Sequence, residues 1–186
     1  GLARPGVILS SGSPQRKAIL EQLGVDFRVE APEVEELAAG EPHEVVVENA
    51  LRKARARAWP DDLVLGADTA VVLDGGIFGK PADESQAESF LRALSGVTHE
   101  VMTGIAVSEG GAERSAVAVT AVRFRELERA DLDWYLATGE WRERAGAYAI
   151  QGRGAALVER IEGDYWNVVG LPVPELLRLV PDLLRR

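Results

Sequence analysis

The sequence has no cysteine, which excludes disulfides and thiolate-bound metals and suits a reducing cytosol. Histidine is scarce: His43 and His99 are the only two, too few for a multi-histidine zinc site. Any metal is therefore expected to be a hard cation held by carboxylates, phosphates and water. Long apolar runs are missing. None approaches the ~20 residues of a membrane helix, and the opening stretch 1–6 lacks the apolar segment of a targeting peptide. The expectation is no membrane partner and a cytoplasmic location. Positive charge is short, with 21 Lys and Arg against 30 Asp and Glu and a net charge of −9. Such a surface repels a phosphate backbone, so no nucleic-acid partner is expected. A small metal–phosphate complex remains admissible if a few cations gather in one place. Repeats, low-complexity tracts and linker-like stretches are absent. Residues 1–186 are expected to form a single domain, folded as two lobes around a cleft.

What is present is an alternation of strands and helices in a chain that is 46% hydrophobic. Val7, Ile8 and Leu9 form a short buried-strand run, followed by the turn Ser10-Ser11-Gly12-Ser13-Pro14. Ser13 can cap a helix with Pro14 at its first position. Ile19, Leu20 and Leu23 fall at helical spacing, and Gly24 ends the helix. Residues 27–30 read as a second strand. After an acidic loop, Pro42 precedes a helix over 43–59 with Val46, Val47, Ala50, Leu51 and Ala54 on its apolar face. The run 63–67 reads as a central strand that ends by delivering Asp68. Residues 71–73 and 77–78 make a hairpin around Asp74-Gly75-Gly76. Asp83 and Gln86 form a capping-box pattern for a helix running to Leu94, with Gly96 beyond it. Val101, Thr103, Ile105 and Val107 alternate, as do Val117, Val119 and Ala121, and Gly110-Gly111 joins the two strands. A short helix over 131–137, a glycine-rich stretch over 146–154, a strand over 156–161 and a helix from Pro172 complete the chain. Hairpins among helices predict an α/β protein with a mixed sheet.

Six segments carry candidate chemistry. Ser10 to Lys17 joins a strand to a helix, so backbone N–H groups and the helix dipole favour an anion there. Arg16 and Lys17 oppose that dipole, a cost a bound phosphate would offset. The same pattern also fits an ordinary capped helix with solvated cations. A P-loop is excluded, because Gly79-Lys80 is followed by Pro81 and its first glycine is misplaced. Asp68, in Gly66-Ala67-Asp68-Thr69, is a carboxylate at the end of a strand, where α/β sites form, or else a turn residue. Lys80, between Gly79 and Pro81, suits a point-charge contact to phosphate. Glu33, Glu35 and Glu36 form an acidic loop, which is more commonly just a solvated face. The glycines of 146–154 allow close approach to a ligand, and Gln151 offers a donor and an acceptor to a base edge. Asp164 to Pro172 is either a further site segment or a loop docking the last helix.

Together these segments resemble the Maf family. Its opening motif corresponds to Ser11-Gly12-Ser13-Pro14-Gln15-Arg16-Lys17, and its Gly-Ala-Asp-Thr to Gly66-Ala67-Asp68-Thr69. Lys80-Pro81, the stretch Leu94 to Val101, Ala145 to Gly152 and Asn167 to Pro172 follow in family order across nearly the whole chain. The resemblance implies an ITPase-like fold with a mixed sheet in two lobes around a central cleft, and often a homodimer. It implies hydrolysis of a nucleoside triphosphate between the α- and β-phosphates with Mg²⁺ or Mn²⁺. Asp68 becomes the catalytic carboxylate, Ser11, Arg16, Lys53 and Lys80 the triphosphate clamp, and Asp68 with Glu36 the metal ligands. Whether Asp68 takes a proton or orients a water stays open, since an ordinary aspartate is a weak base near neutrality.

Two branches of that family differ at three places. The branch acting on dTTP and UTP carries Arg, Thr and Gln, and the branch acting on 7-methyl-GTP carries Trp, Gln and Glu. Thr69 and Gln151 match the first branch, whereas Gln15 matches neither. The expected substrates are therefore dTTP and UTP, with looser selectivity. The alternative is a non-catalytic nucleotide-sensing or septum-formation-inhibiting interaction protein using the same cleft.

Overall fold

The computed structural model describes residues 6–56 and 61–186. Apolar strands make one mixed seven-stranded sheet in the order β2-β1-β3-β5-β6-β7, with β4 paired to β3. The strands are β1 (Val7–Ser10), β2 (Phe27–Val29), β3 (Leu63–Leu73), β4 (Gly76–Phe78), β5 (Thr98–Glu109), β6 (Ala112–Phe124) and β7 (Val158–Glu162). β1 runs parallel to β2 and β3, while every other pairing is antiparallel. Turn chemistry sets the hairpins. Asp74 and Gly75, at φ 50° and 78°, join β3 to β4, as the sequence predicts.

Among the described residues six α-helices surround the sheet: α1 (Pro14–Gln22), α2 (Pro42–Ala56), α3 (Glu84–Leu94), α4 (Arg129–Ala137), α5 (Tyr165–Val169) and α6 (Val173–Leu179). Ser13 caps α1, its hydroxyl accepting from Arg16 N at 3.3 Å, with Pro14 opening the helix. Asp83 caps α3 through Gln86 N at 2.8 Å, but Gln86 reaches back to Ala82 N rather than to the cap residue. The segment containing α5, which the sequence leaves open as a docking loop, is a one-turn helix capped by Asp164.

The period of two along β3 divides the packing. On one face Leu63, Leu65 and Ala67 join Val7, Leu9, Ile105, Leu20 and Leu176, a core beneath α1 and α6. Farther along that face, Val71, Val101 and Val122 join Leu91, Leu132 and Tyr135, a second core beneath α3 and α4. These two cores are the two lobes. The opposite face is covered by α2, through Val46 against Ala70, Val72 and Met102 and through Ala50 and Ala54 against Ala106. A fully buried leucine such as Leu65 contributes about 1.5–3 kcal/mol.

Three expectations are corrected. β5 is buried on both faces from Val101 to Ser108, because α2 covers the side that alternation leaves to solvent. The buried face of α2 is Val45, Val46, Asn49, Ala50, Lys53 and Ala54, whereas Val47 and Leu51 are only half-buried. Asn49 and Lys53 turn inward because polar partners await them on the sheet. Asp68 does not end its strand but lies in the middle of the eleven-residue β3. The end of the helix expected to reach Trp59, and most of the stretch 1–6, lie outside the described residues.

Candidate active site

β1 pairs along β3 from Leu63 to Gly66, and β4 pairs along the same edge from Val71 to Leu73. Among the described residues, 67–70 have no strand partner on that edge. This gap separates the two lobes and lies just past the carboxyl end of β1. Asp68 and Thr69 are adjacent in it, so their side chains point to opposite faces of the sheet.

Asp68 faces α2. That helix lies directly on the strands because Gly66 and Gly104 carry no Cβ: one at Gly66 would collide with the Ala50 carbonyl, and one at Gly104 with the Val46 carbonyl. The close approach brings Asn49 and Lys53, one helical turn apart, onto the carboxylate. Asn49 Nδ2 donates to Asp68 Oδ2 at 2.9 Å and to Leu37 O at 3.0 Å, while Leu37 N donates back to Asn49 Oδ1 at 2.8 Å. The asparagine thereby ties the acidic loop to the strand. Lys53 Nζ lies 2.7 Å from Glu36 Oε1 and 3.6 Å from Asp68 Oδ1, and it donates to Ala67 O at 3.0 Å. The ammonium is thus within hydrogen-bond distance of Glu36 and the Ala67 carbonyl, and Asp68 is a longer ion-pair partner. Burial works to raise the Glu36 pKa. The hydrogen bond and charge of Lys53, with Lys80 and Arg16 behind it, outweigh burial and hold the carboxyl below its ordinary value.

Thr69 faces the other side, where Arg16 arrives from the first turn of α1. The guanidinium donates from Nε to Gly170 O at 2.8 Å, from one amino group to Ser11 Oγ at 3.1 Å and from the other to Thr69 Oγ1 at 3.0 Å. Thr69 Oγ1 also lies 2.9 Å from Thr103 Oγ1, which donates to Asn167 O at 3.3 Å. Arg16 is 8% exposed. Burial lowers its pKa, while Asp68 and Glu36 pull it back up across the gap. An arginine keeps its charge even so, so a buried, fixed cation stands beside the two carboxylates.

Ser11, Arg16, Glu36, Lys53, Asp68 and Thr69 are thus brought together. Lys80 sits at the rim after β4, exposed, with Glu143 Oε2 at 3.5 Å. Its turn is tied to the glycine-rich stretch by Gly146 N donating to Gly79 O at 3.1 Å. The side chain of Gln15 turns back to accept from Ser13 Oγ at 3.1 Å. Gln151 is exposed on a turn, and among the described residues no hydrogen bond joins either glutamine side chain to Arg16, Lys53 or Asp68. Glu33 and Glu35 are exposed. Sequence reasoning missed Asn49, whose signal was its spacing of four from Lys53 on an otherwise apolar face. It also missed Thr103, which has no local signal, and singled out Asn167 only as part of the segment Asp164 to Pro172. Cavities of about 380 Å³ between α3 and α4 and of about 560 Å³ beside α2 contain none of Arg16, Lys53 and Asp68. Converging charge, not enclosure, marks this site.

A hard cation fits the donor set. Glu36 and Asp68 already share one cationic group, and every free donor atom there is oxygen. Among the described residues no three His, Cys, Asp or Glu side chains form a metal cage. Remaining ligands would come from water and substrate phosphate, the usual manner of Mg²⁺.

Fold and site together define a class: a mixed α/β protein with a buried cation and paired carboxylates just past the carboxyl end of a parallel strand. Residues 6–183 match the Maf family, described as Maf-like protein, and the chain belongs to that family. It is 50% identical to the dTTP/UTP pyrophosphatase of Symbiobacterium thermophilum over 94% of this chain and 92% of the relative. It is 46% identical to the protein of that name from Deinococcus radiodurans, over 95% and 92%, and 44% identical to that of Pyrococcus furiosus, over 94% and 93%. The dTTP/UTP-like resemblance is therefore met by relatives along nearly the full chain. Among the described residues no helix is long and apolar enough to cross a membrane.

Proposed function

We propose that this chain hydrolyses nucleoside triphosphates to the monophosphate and pyrophosphate, preferring dTTP and UTP to 7-methyl-GTP. The observation that carries the reading is the convergence of Arg16, Lys53, Glu36 and Asp68 at one unpaired stretch of β3. Phosphoryl transfer needs little covalent chemistry from the protein, only placement and neutralised charge. Water adds to the α-phosphorus, and the bridging oxygen leaves with pyrophosphate and the bonding pair. The water proton passes to Asp68 or to solvent. Asn49 holds one oxygen of Asp68 and leaves the other for that water. Arg16, fixed by Ser11, Thr69 and Gly170, presents its remaining N–H groups to phosphate, and Lys80 adds a rim charge. Lys53 reaches phosphate only by giving up a carboxylate. Glu36 and Asp68 would hold Mg²⁺ or Mn²⁺, which neutralises phosphate oxygens and polarises the phosphorus.

Thr69 Oγ1 is already engaged with Arg16 and Thr103, so we assign its influence on selectivity to the clamp. Gln15 and Gln151 read the base. The working unit is a single domain over 1–186, in a cytoplasmic homodimer that binds no nucleic acid. The test is pyrophosphate release from a panel of nucleoside triphosphates, with and without EDTA. dTTP and UTP should be fastest, and chelation should abolish release. Tight nucleotide binding with no pyrophosphate from any substrate would instead make this a nucleotide sensor.

A further inference from the structure

The turn carrying Gln151 is held by a carboxylate that the proposed reaction does not use. Glu140 lies just beyond α4, with its own N–H donating to Thr138 Oγ1 at 3.1 Å. Its Oε1 accepts from Gly154 N at 3.0 Å and from the Tyr135 hydroxyl at 2.8 Å, and its Oε2 accepts from Arg153 N at 2.9 Å. The Tyr135 oxygen accepts in turn from Ala149 N at 3.0 Å. The amides of Ala149, Arg153 and Gly154 therefore all end on Glu140, directly or through Tyr135. Consecutive amides converging on one point form an anion-binding nest, here filled by the protein's own side chain. The fit is close, since a Cβ at Gly152 would collide with the Glu140 carboxylate. Tyr135 is fully buried in the core beneath α3 and α4, so the anchor is rigid. Gln151, between these tethered residues, is exposed and has no hydrogen-bond partner among the described residues. Its amide is free to meet a ligand, and its position is dictated by the nest.

We propose that Glu140 is a positioning residue for base selection, fixing Gln151 against the nucleobase while taking no part in phosphate chemistry. This rests on the reading above that Gln151 reads the base. Replacing the carboxylate by an amide removes the charge and one of the two acceptor oxygens, so the Arg153 and Gly154 amides cannot both keep the partners they have, and the turn relaxes. The orientation needed to discriminate bases is then lost, while Asp68, Lys53 and Arg16, on other elements, keep their geometry.

The test compares kcat/KM for dTTP and dATP, which share the sugar and triphosphate, in wild type, Glu140→Gln, Tyr135→Phe and Gln151→Ala. Glu140→Gln should reduce the dTTP-to-dATP ratio by about tenfold, the size of one charged hydrogen bond, through a raised KM for dTTP and with kcat little changed. Tyr135→Phe keeps the buried ring and should move the ratio the same way by less, which covers a Glu140 variant that folds poorly. In the Gln151→Ala background, Glu140→Gln should no longer change the ratio. An equal loss on both nucleotides, or an unchanged ratio in both Glu140→Gln and Tyr135→Phe while Gln151→Ala shifts it, makes Glu140 scaffolding only and overturns the inference. An unchanged ratio in Gln151→Ala removes the base reading itself, and the inference with it.

Discussion

Lys53 and Lys80 are assigned to the same triphosphate, yet their surroundings differ sharply. The Lys53 side chain is 11% exposed and its ammonium faces Glu36, Asp68 and the Ala67 carbonyl. The Lys80 side chain is 63% exposed and faces a single exposed glutamate. The same contrast separates Arg16, Asn49 and Asp68, bonded within the central cluster, from Gln15, half-buried in the first turn of α1 with Ser13 as its partner, and Gln151, exposed on a turn. The inner group is desolvated and fixed before any ligand arrives, which is where electrostatic stabilisation is strongest. Lys80 and Gln151, both exposed, keep their hydration and side-chain freedom, and Gln151 is thereby suited to discriminating among ligands.

The largest test of that division is Asp68→Asn. The amide keeps the shape, and an unchanged melting temperature is expected, while kcat should fall on the order of 10²–10⁴-fold. Turnover near wild type would remove the inner group's claim to the chemistry.

The outer glycine-rich stretch is supported from below by uncharged packing, and acid should expose this. His99 is buried, with Nε2 2.7 Å from the Tyr148 hydroxyl and its ring edge-on to Phe124. Burial pulls its pKa from 6.5 down to about 4. Between those values the unfolded chain binds a proton that the native state refuses. Stability is therefore full above pH 6.5 and declines toward pH 4, by on the order of 3 kcal/mol from this group. Urea denaturation across that window should show a shallower decline in His99→Gln, and equal slopes would contradict the assignment.

Arg16→Ala and Lys80→Ala then compare the two halves directly. Loss of the buried, triply bonded guanidinium should reduce kcat/KM by about 10²-fold, and loss of the exposed lysine by about fivefold. Both should act alike on every triphosphate. A larger effect at Lys80, or a change in base ranking, would break the division. The smallest effect belongs to Gln15→Arg. Restoring the charge and fork of arginine should raise the preference for dTTP over dATP by about threefold, read from paired kcat/KM values.

Local chemistry made much of this legible. The Ser13 and Asp83 caps and the Asp74-Gly75 turn are short-range signals, and each appears where the sequence places it. Along β6 the alternation falls on the other face: Thr120, Val122 and Phe124 are buried, while Val119 is exposed and Val117 and Ala121 are half-buried. What escaped depended on distant partners. The sequence ends the strand at Asp68 because aspartate is disfavoured in strands. β3 continues because β5 pairs with it from Val64 to Val72. Lys53 and Asn49 belong to the buried face of α2 only because Glu36, Leu37 and Asp68 wait there. Glu140 reaches amides thirteen and fourteen residues ahead of it, a relation with no period to detect.

The fit of α2 against Gly66 and Gly104 has a consequence at the level of the gene. A single-base change in any glycine codon that alters the amino acid yields Ala, Ser, Cys, Val, Asp, Glu, Arg or Trp, and each of these carries a Cβ. At these two codons no gentle missense step exists, because even alanine drives an atom into the carbonyls of Ala50 or Val46. Drift there is closed in every direction, while the exposed side chain of Gln151 remains open to it. A lineage can retune which base is read without the distance between Asp68 and Lys53 ever being free to wander.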